Sequence, residues 1–196
     1  MKRARIKIKG KTALLFHKFS IDVLTNKSKQ KSGSTGNDPE EWKTTIFNDG
    51  KKLYMPGAYF FSTFLAGASY VKLGRGTIAK KLAGCMTVVT EKSYLNRELP
   101  DDPENIETEN MPLDSSQPVY LDVRGVKNPA TKGRNVRYRV ALSPGWECSV
   151  EIEFDDTVIS KDDIKRCVEN AGKFSGIADG RTIGHGRFEV TEIIFE

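Results

Sequence analysis

Ala4-Arg5-Ile6-Lys7-Ile8-Lys9-Gly10 alternates apolar and basic positions with period two, which predicts a strand with one apolar and one basic face. Thr12 to Phe19 continues as extended apolar chain. Residues 26–40 lack apolar positions and are rich in Ser, Gly and Lys, the composition of a mobile loop. Lys51 to Met55 reads as a short strand, and Pro56 suits a helix start. Phe60, Phe61, Phe64, Leu65, Ala68 and Val71 then fall at helical spacing over Ala58 to Lys72. After the Gly74-Arg75-Gly76 break a second helix is expected from Thr77 to Cys85, followed by a strand at Met86 to Val89. Val119–Val123 and Val136–Leu142 alternate as strands around the turn-rich 128–133, and Trp146–Phe154 is expected to return antiparallel after Ser143-Pro144-Gly145. Ser160 is a good N-cap with Asp162 and Asp163 in the first turn, and Ile164, Cys167, Val168 and Ala171 follow at i, i+3, i+4, i+7. A glycine-rich stretch, 176–187, leads into a last strand, Phe188 to Phe195.

This order predicts an α+β fold: a βαββαβ, ferredoxin-like or RRM-like core with two helices on one face of the sheet, an inserted β-hairpin and long loops. No interdomain linker or repeat stands out, so residues 1–196 are expected to form one domain. The most apolar stretch, Ala58 to Val71, contains Ser62, Thr63 and Ser69, which excludes a membrane helix there. Met1-Lys2-Arg3-Ala4-Arg5 carries no apolar signal-peptide core, and Cys85, Cys148 and Cys167 form no CxxC pair. A cytoplasmic protein with no disulfide framework, no metal site and no cofactor is the expectation.

The net charge of +5 matters less than its distribution. Residues 1–31 hold ten cations against Asp22 alone. The segment 124–139 carries Arg124, Lys127, Lys132, Arg134, Arg137 and Arg139 with no acid, within a hairpin expected over 124–142. Residues 96–118 form an acidic, proline-containing insertion expected to be a loop dispensable for folding. Tyr138 lies between Arg137 and Arg139, with Tyr120 upstream, and aromatics interleaved with cations suit base stacking plus phosphate neutralisation. In the glycine-rich stretch, Gly180, Gly184 and Gly186 beside Arg181 and Arg187 form a candidate phosphate cradle. The plain alternative is a turn before an edge strand. The spacing is neither a Walker loop nor GxGxxG after a strand, so dinucleotide binding is excluded. A side chain at Gly184 is expected to block a phosphate without touching the core.

Two segments carry a family resemblance: Leu53-Tyr54-Met55-Pro56-Gly57-Ala58 opening a helix, and Gly176-Ile177-Ala178-Asp179-Gly180-Arg181-Thr182-Ile183-Gly184-His185-Gly186-Arg187 before the last strand. In that order they resemble the RAMP superfamily, the repeat-associated proteins of CRISPR effector complexes. The family pattern has an I-P-G-S-S helix start and a glycine-rich loop ending G-x-G-R. Gly10 to Phe16 also resembles the segment after the family's first strand, and the likeness covers roughly residues 4–72 and 119–195. Ala58 and Tyr59 stand where the pattern has serines. The resemblance implies a ferredoxin-like fold with an inserted hairpin thumb, single-strand binding, and head-to-tail assembly or assembly with CRISPR-type subunits. It is closest to the effector backbone subunits, in a compact form that also fits a phage or prophage protein.

The reading is therefore a single-stranded nucleic-acid-binding protein, RNA favoured over DNA, with no membrane partner. Binding is placed ahead of catalysis. His185 and His17 are the only histidines, and either could serve a metal-independent RNA endonuclease as general acid or base. Asp22 resembles in position the loop aspartate with which some RAMP backbone subunits cleave RNA. A phage-encoded mimic or inhibitor of a CRISPR complex is the third alternative.

Overall fold

The computed structural model describes residues 1–19, 38–127 and 134–196. In chain order its elements are β1 (Lys2–Gly10), β2 (Leu14–Leu15), α1 (Glu41–Thr45), β3 (Asn48–Asp49), β4 (Lys52–Pro56) and α2 (Gly57–Ala68). Next come β5 (Lys72–Leu73), β6 (Gly76–Thr77), α3 (Ala79–Cys85), β7 (Met86–Val88), β8 (Lys92–Glu98), β9 (Val119–Lys127) and β10 (Arg134–Leu142). The chain ends with β11 (Glu147–Phe154), α4 (Lys161–Asn170) and β12 (Phe188–Phe195). The larger sheets have the strand orders β12-β1-β11-β7, β2-β10-β9 and β3-β4-β8. The fold is mixed α+β with antiparallel sheets, as expected. Loop residues 26–37, Asp22 and Lys132 lie outside the described residues.

By its internal contacts the chain divides into two compact units, each built from non-contiguous segments. Unit 1 holds Met1–Leu14, Tyr54–Asn96 and Pro144–Glu196; unit 2 holds Leu15–Leu53 and Arg97–Ser143.

Unit 1 is organised on the four-stranded sheet. The alternation in β1 buries Ala4, Ile6 and Ile8, and β11 buries Val150, Ile152 and Phe154 in register with them. Phe60, Phe64 and Ala68 of α2 are buried at i, i+4, i+8, and Ile164, Cys167 and Val168 of α4 join the same core. Ser160 caps α4 by accepting a hydrogen bond from the Asp163 N–H at 3.1 Å. Burial pushes the thiols of Cys148 and Cys167 up to about 12, so both are inert apolar filling at neutral pH. Strand β11 differs from expectation. It pairs with β1 and β7, not with β10, because the turn after Ser143 carries the chain from one unit to the other, and Gly145 N–H donates to Gly10 O at 2.8 Å.

Unit 2 is organised on the β9–β10 ladder, which pairs Val119 with Leu142 through to Lys127 with Arg134. Leu15, Tyr120 and Ala141 form one buried cluster there. The acidic stretch differs from expectation too: it is anchored. Leu99, Pro103, Ile106, Thr108 and Met111 are buried, and the Thr108 hydroxyl accepts from Trp42 Nε1 at 3.0 Å while donating to Glu40. Sparse apolar residues among acids are enough to fix two short helical turns against α1, although no periodicity announces them.

Candidate nucleic-acid interface

The pleat of the hairpin sorts the predicted residues by face. Across the ladder Arg137 faces Arg124, Arg139 faces Asp122, and Ala141 faces Tyr120. On the opposite face Tyr138 faces Val123, Val136 faces Gly125, and Arg134 faces Lys127. Tyr138 therefore does not interleave with its arginine neighbours in space. Those arginines look to acids that the local sequence window does not contain. Asp122 Oδ2 accepts from Arg139 Nη2 at 3.0 Å, and its Oδ1 accepts from Arg124 Nε at 2.6 Å. Arg137 Nη1 donates to Glu41 Oε1 of α1. Arg139 and Asp122 are only 6% and 5% exposed, so this pair belongs to the interior of unit 2. Tyr120 is buried, and that burial pushes its hydroxyl pKa up, with the charge of Asp122 adding to the effect. What remains for a ligand is the Tyr138 face and the far end of the strands, where Lys127 and Arg134 are exposed and have no partner among the described residues.

The glycine-rich segment of unit 1 is closed at its base and open at its tip. Ile177 N–H donates to Gly186 O at 2.9 Å, Gly186 N–H to Ala13 O at 2.8 Å, and His185 N–H to Gly180 O at 3.1 Å. A Cβ on Gly186 would stand 1.8 Å from Ile177 O, so no side chain fits. At Gly184 nothing lies within 4 Å, which matches the expected open position, yet its φ of +94° makes any side chain strained there. Arg181, Thr182 and Ile183 form the exposed tip, with Ile183 65% exposed. The start of α2 lies beside this loop. Thr63 Oγ1 donates to Gly176 O at 3.4 Å, and the Tyr59 hydroxyl is raised by burial first and by Asp179 second, with Arg181 opposing. The two motif segments, far apart in sequence, are thus neighbours in unit 1. His185 is half-buried within the loop, and Arg187 immediately precedes β12.

The basic N-terminal strand is compensated from Arg3 onward. Arg3 pairs with Glu153 at 2.7 Å and Arg5 with Glu151 at 2.7 Å. Lys7 pairs with Glu192 at 2.6 Å, Lys9 with Glu147 at 3.3 Å, and Lys11 with Glu189 at 2.7 Å. The sheet face that looks basic in sequence is a ladder of ion pairs, its acids supplied by β11 and β12.

His17 is exposed in unit 2 and His185 belongs to unit 1. Among the described residues no group of three His, Cys, Asp or Glu side chains is arranged to hold a metal ion. No helix among them is long and apolar enough to cross a membrane.

No protein-family model and no curated protein matches the sequence. Solved structures do. A chain of the type III-B Cmr-beta complex bound to cognate target RNA superposes with a TM-score of 0.54 at 14% identity, over 99% of this chain and 60% of that one. Cmr6 from Pyrococcus furiosus gives 0.46 at 10% identity over 97% and 99% of the two chains, and a type IV-B CRISPR complex chain gives 0.46 at 11% over 99% and 90%. This chain spans about three-fifths of the length of the Cmr-beta chain. The first match shows a shared fold, in agreement with the RAMP resemblance at that level.

Proposed function

We propose that this chain binds single-stranded nucleic acid, RNA in preference to DNA, as a compact RAMP-type subunit. The observation that carries the reading is the contrast among its cations. Arg3, Arg5, Lys7 and Lys9 of β1 and the arginines of the hairpin stem are matched by nearby carboxylates, whereas Lys127 and Arg134 sit opposite each other on the face that presents Tyr138 and have no such match among the described residues. Two cations on the same hairpin face as Tyr138 and the exposed Val123, four residues farther along each strand, suit a phosphate backbone with one stacked base. In unit 1, Arg181 at the open tip of the glycine loop is a phosphate contact of its own, and Gly180, Gly184 and Gly186 give the backbone its approach there. Lys132 extends the hairpin set by sequence. Arg139, buried against Asp122, acts in this reading as the stem's internal brace, and Arg124 and Arg137 flank it.

A ferredoxin-like core is part of the proposal. It is supported by the strand order β12-β1-β11-β7, with α2 between β1 and β7 and α4 between β11 and β12 in the chain. The RNA-bound Cmr-beta neighbour favours RNA and assembly with CRISPR-type subunits in a defence system.

The test is a titration of fluorescent single-stranded RNA and DNA of equal length against the full chain, without metal and with gel analysis of the RNA afterwards. Tighter RNA binding with intact RNA is the expected result. Equal affinity for a neutral-backbone analogue would remove the electrostatic reading, and metal-free cleavage lost on His185→Ala would make the protein a nuclease instead.

A further inference from the structure

Unit 1 carries a cleft beside the base of the glycine-rich segment, at Arg187. This cleft of about 460 Å³ is lined by the cations Lys11, Lys173 and Arg187, the carboxylates Glu169 and Glu189, and Phe188. Arg187 is fixed in the backbone: its N–H donates to Thr12 Oγ1 at 2.9 Å and its carbonyl accepts from Lys11 N–H at 2.7 Å. Its side chain is not so satisfied. The Nη1 atom is buried and has no hydrogen-bond partner among the described residues. A buried guanidinium N–H without an acceptor is costly, and an anion in the cleft would supply the acceptor. Glu189 is engaged by Lys11 at 2.7 Å, so Lys173 and Arg187 against Glu169 leave the cleft cationic.

An aromatic platform adjoins it. Lys173 lines the cleft and also places Nζ 5.1 Å from the centre of the Phe174 ring. Phe174 in turn packs against Tyr70 in a tilted pair, with centroids 4.8 Å apart and 38° between the ring planes. Both rings are large and open to solvent, Tyr70 at 55% and Phe174 at 40%. Exposed, mutually packed aromatics next to a cationic cleft match a ligand with a flat ring and an anionic group a few ångströms apart.

We infer that this cleft binds one nucleotide, its phosphate on Arg187 and Lys173 and its base on the Phe174–Tyr70 platform. The class of ligand rests on the nucleic-acid reading above; the site does not, since it shares no residue with the hairpin. The nucleotide is either a strand end or one unit within a bound strand, and the two sources are separable.

Isothermal titration of the full chain with UMP, uridine and inorganic phosphate tests the site. UMP is expected to bind more tightly than either fragment. Arg187→Met and Phe174→Ala should each weaken UMP by about 10-fold or more with folding preserved, because neither side chain braces the core. Lys127→Gln/Arg134→Gln should leave UMP binding unchanged. A 5′-phosphorylated RNA outcompeting its hydroxyl-ended twin identifies a strand end, and equal competition an internal unit. UMP binding no tighter than phosphate, or undiminished in Arg187→Met, overturns the proposal. If UMP fails while long-strand affinity still falls in the Lys127/Arg134 variant, the cleft is wrong and the function stands. UMP binding without long-strand binding means the reverse.

Discussion

Strand β1 and the β9–β10 hairpin both alternate apolar and basic residues, and they use their charge differently. In β1 the cations from Arg3 onward face glutamates on β11 and β12, so the strand offers a polyanion little net charge. In the hairpin the pairing is graded. Arg139 is buried against Asp122, Arg124 and Arg137 meet acids while partly exposed, and Lys127 and Arg134 at the far end are uncompensated among the described residues. Cross-strand neighbours, brought in from distant sequence, decide whether a cation is a brace, a solvated ion pair or a binding group. The hairpin's share of the salt dependence of strand binding should therefore originate at its far end.

The largest expected effect tests the braced end. Asp122→Asn or Arg139→Met strands a buried charge and should lower stability by about 3–5 kcal/mol in urea denaturation. A loss below about 1 kcal/mol would mean that the pair is hydrated and the grading false. The glycine loop gives the next contrast. Gly186→Ala drives a methyl into Ile177 O as well as straining the backbone, and Gly184→Ala strains the backbone alone. Thermal melts should show the second losing about 1–2 kcal/mol and the first clearly more. Equal losses would remove the distinction between closed base and open tip.

Smaller still on stability, but larger on binding, is the free end. Lys127→Gln/Arg134→Gln should keep stability within about 0.5 kcal/mol and weaken single-strand affinity about tenfold at low salt. Unaltered affinity in this double variant would return the hairpin to being a solvated surface. The mildest effect is an acid titration of the intact chain. Hydrogen bonds from Lys43 and Thr108 hold the Glu40 carboxyl below its usual 4.5, and Asp101 and Asp114 are held below 3.8 by backbone and side-chain donors. Their folded values are depressed, so their contribution is present above those ordinary values and fades as pH falls through the lower folded ones. All three lie in unit 2, against Asp155 alone in unit 1, which hydrogen bonds from Thr157 lower in the same way, so hydrogen exchange below about pH 4.5 should rise more in unit 2. An equal rise in both units would contradict this.

Much of the scaffold is legible from periodicity. Strand β1, helices α2 and α4 and the hairpin strands repeat with periods that only one packing satisfies. Strand β8 is harder because its inward Ser93 is polar; the hydroxyl is satisfied by Ser149 O at 2.7 Å, so alternation of apolar with polar fails as a signal. Helix α1 is too short to show a period, and the anchoring residues of the acidic stretch are spaced without one. The alternation over residues 119–142 shows the hairpin strands in outline, and the composition of 124–139 marks them as basic. Which cations are available could not be read there, because the deciding acids are Glu41 and Asp122, outside that window. The Phe174–Tyr70 pair was invisible for the same reason: over a hundred residues separate rings 4.8 Å apart.

The most direct test is the slope of log affinity against log salt for single-stranded RNA, measured on the wild-type chain, on Lys127→Gln/Arg134→Gln and on Lys7→Gln/Lys9→Gln. Each phosphate contact contributes about 0.7 to that slope for a single strand. The hairpin variant should flatten the slope by about 1.4 and the β1 variant should leave it at the wild-type value. Equal flattening by the two variants, or none from the hairpin pair, would contradict the account.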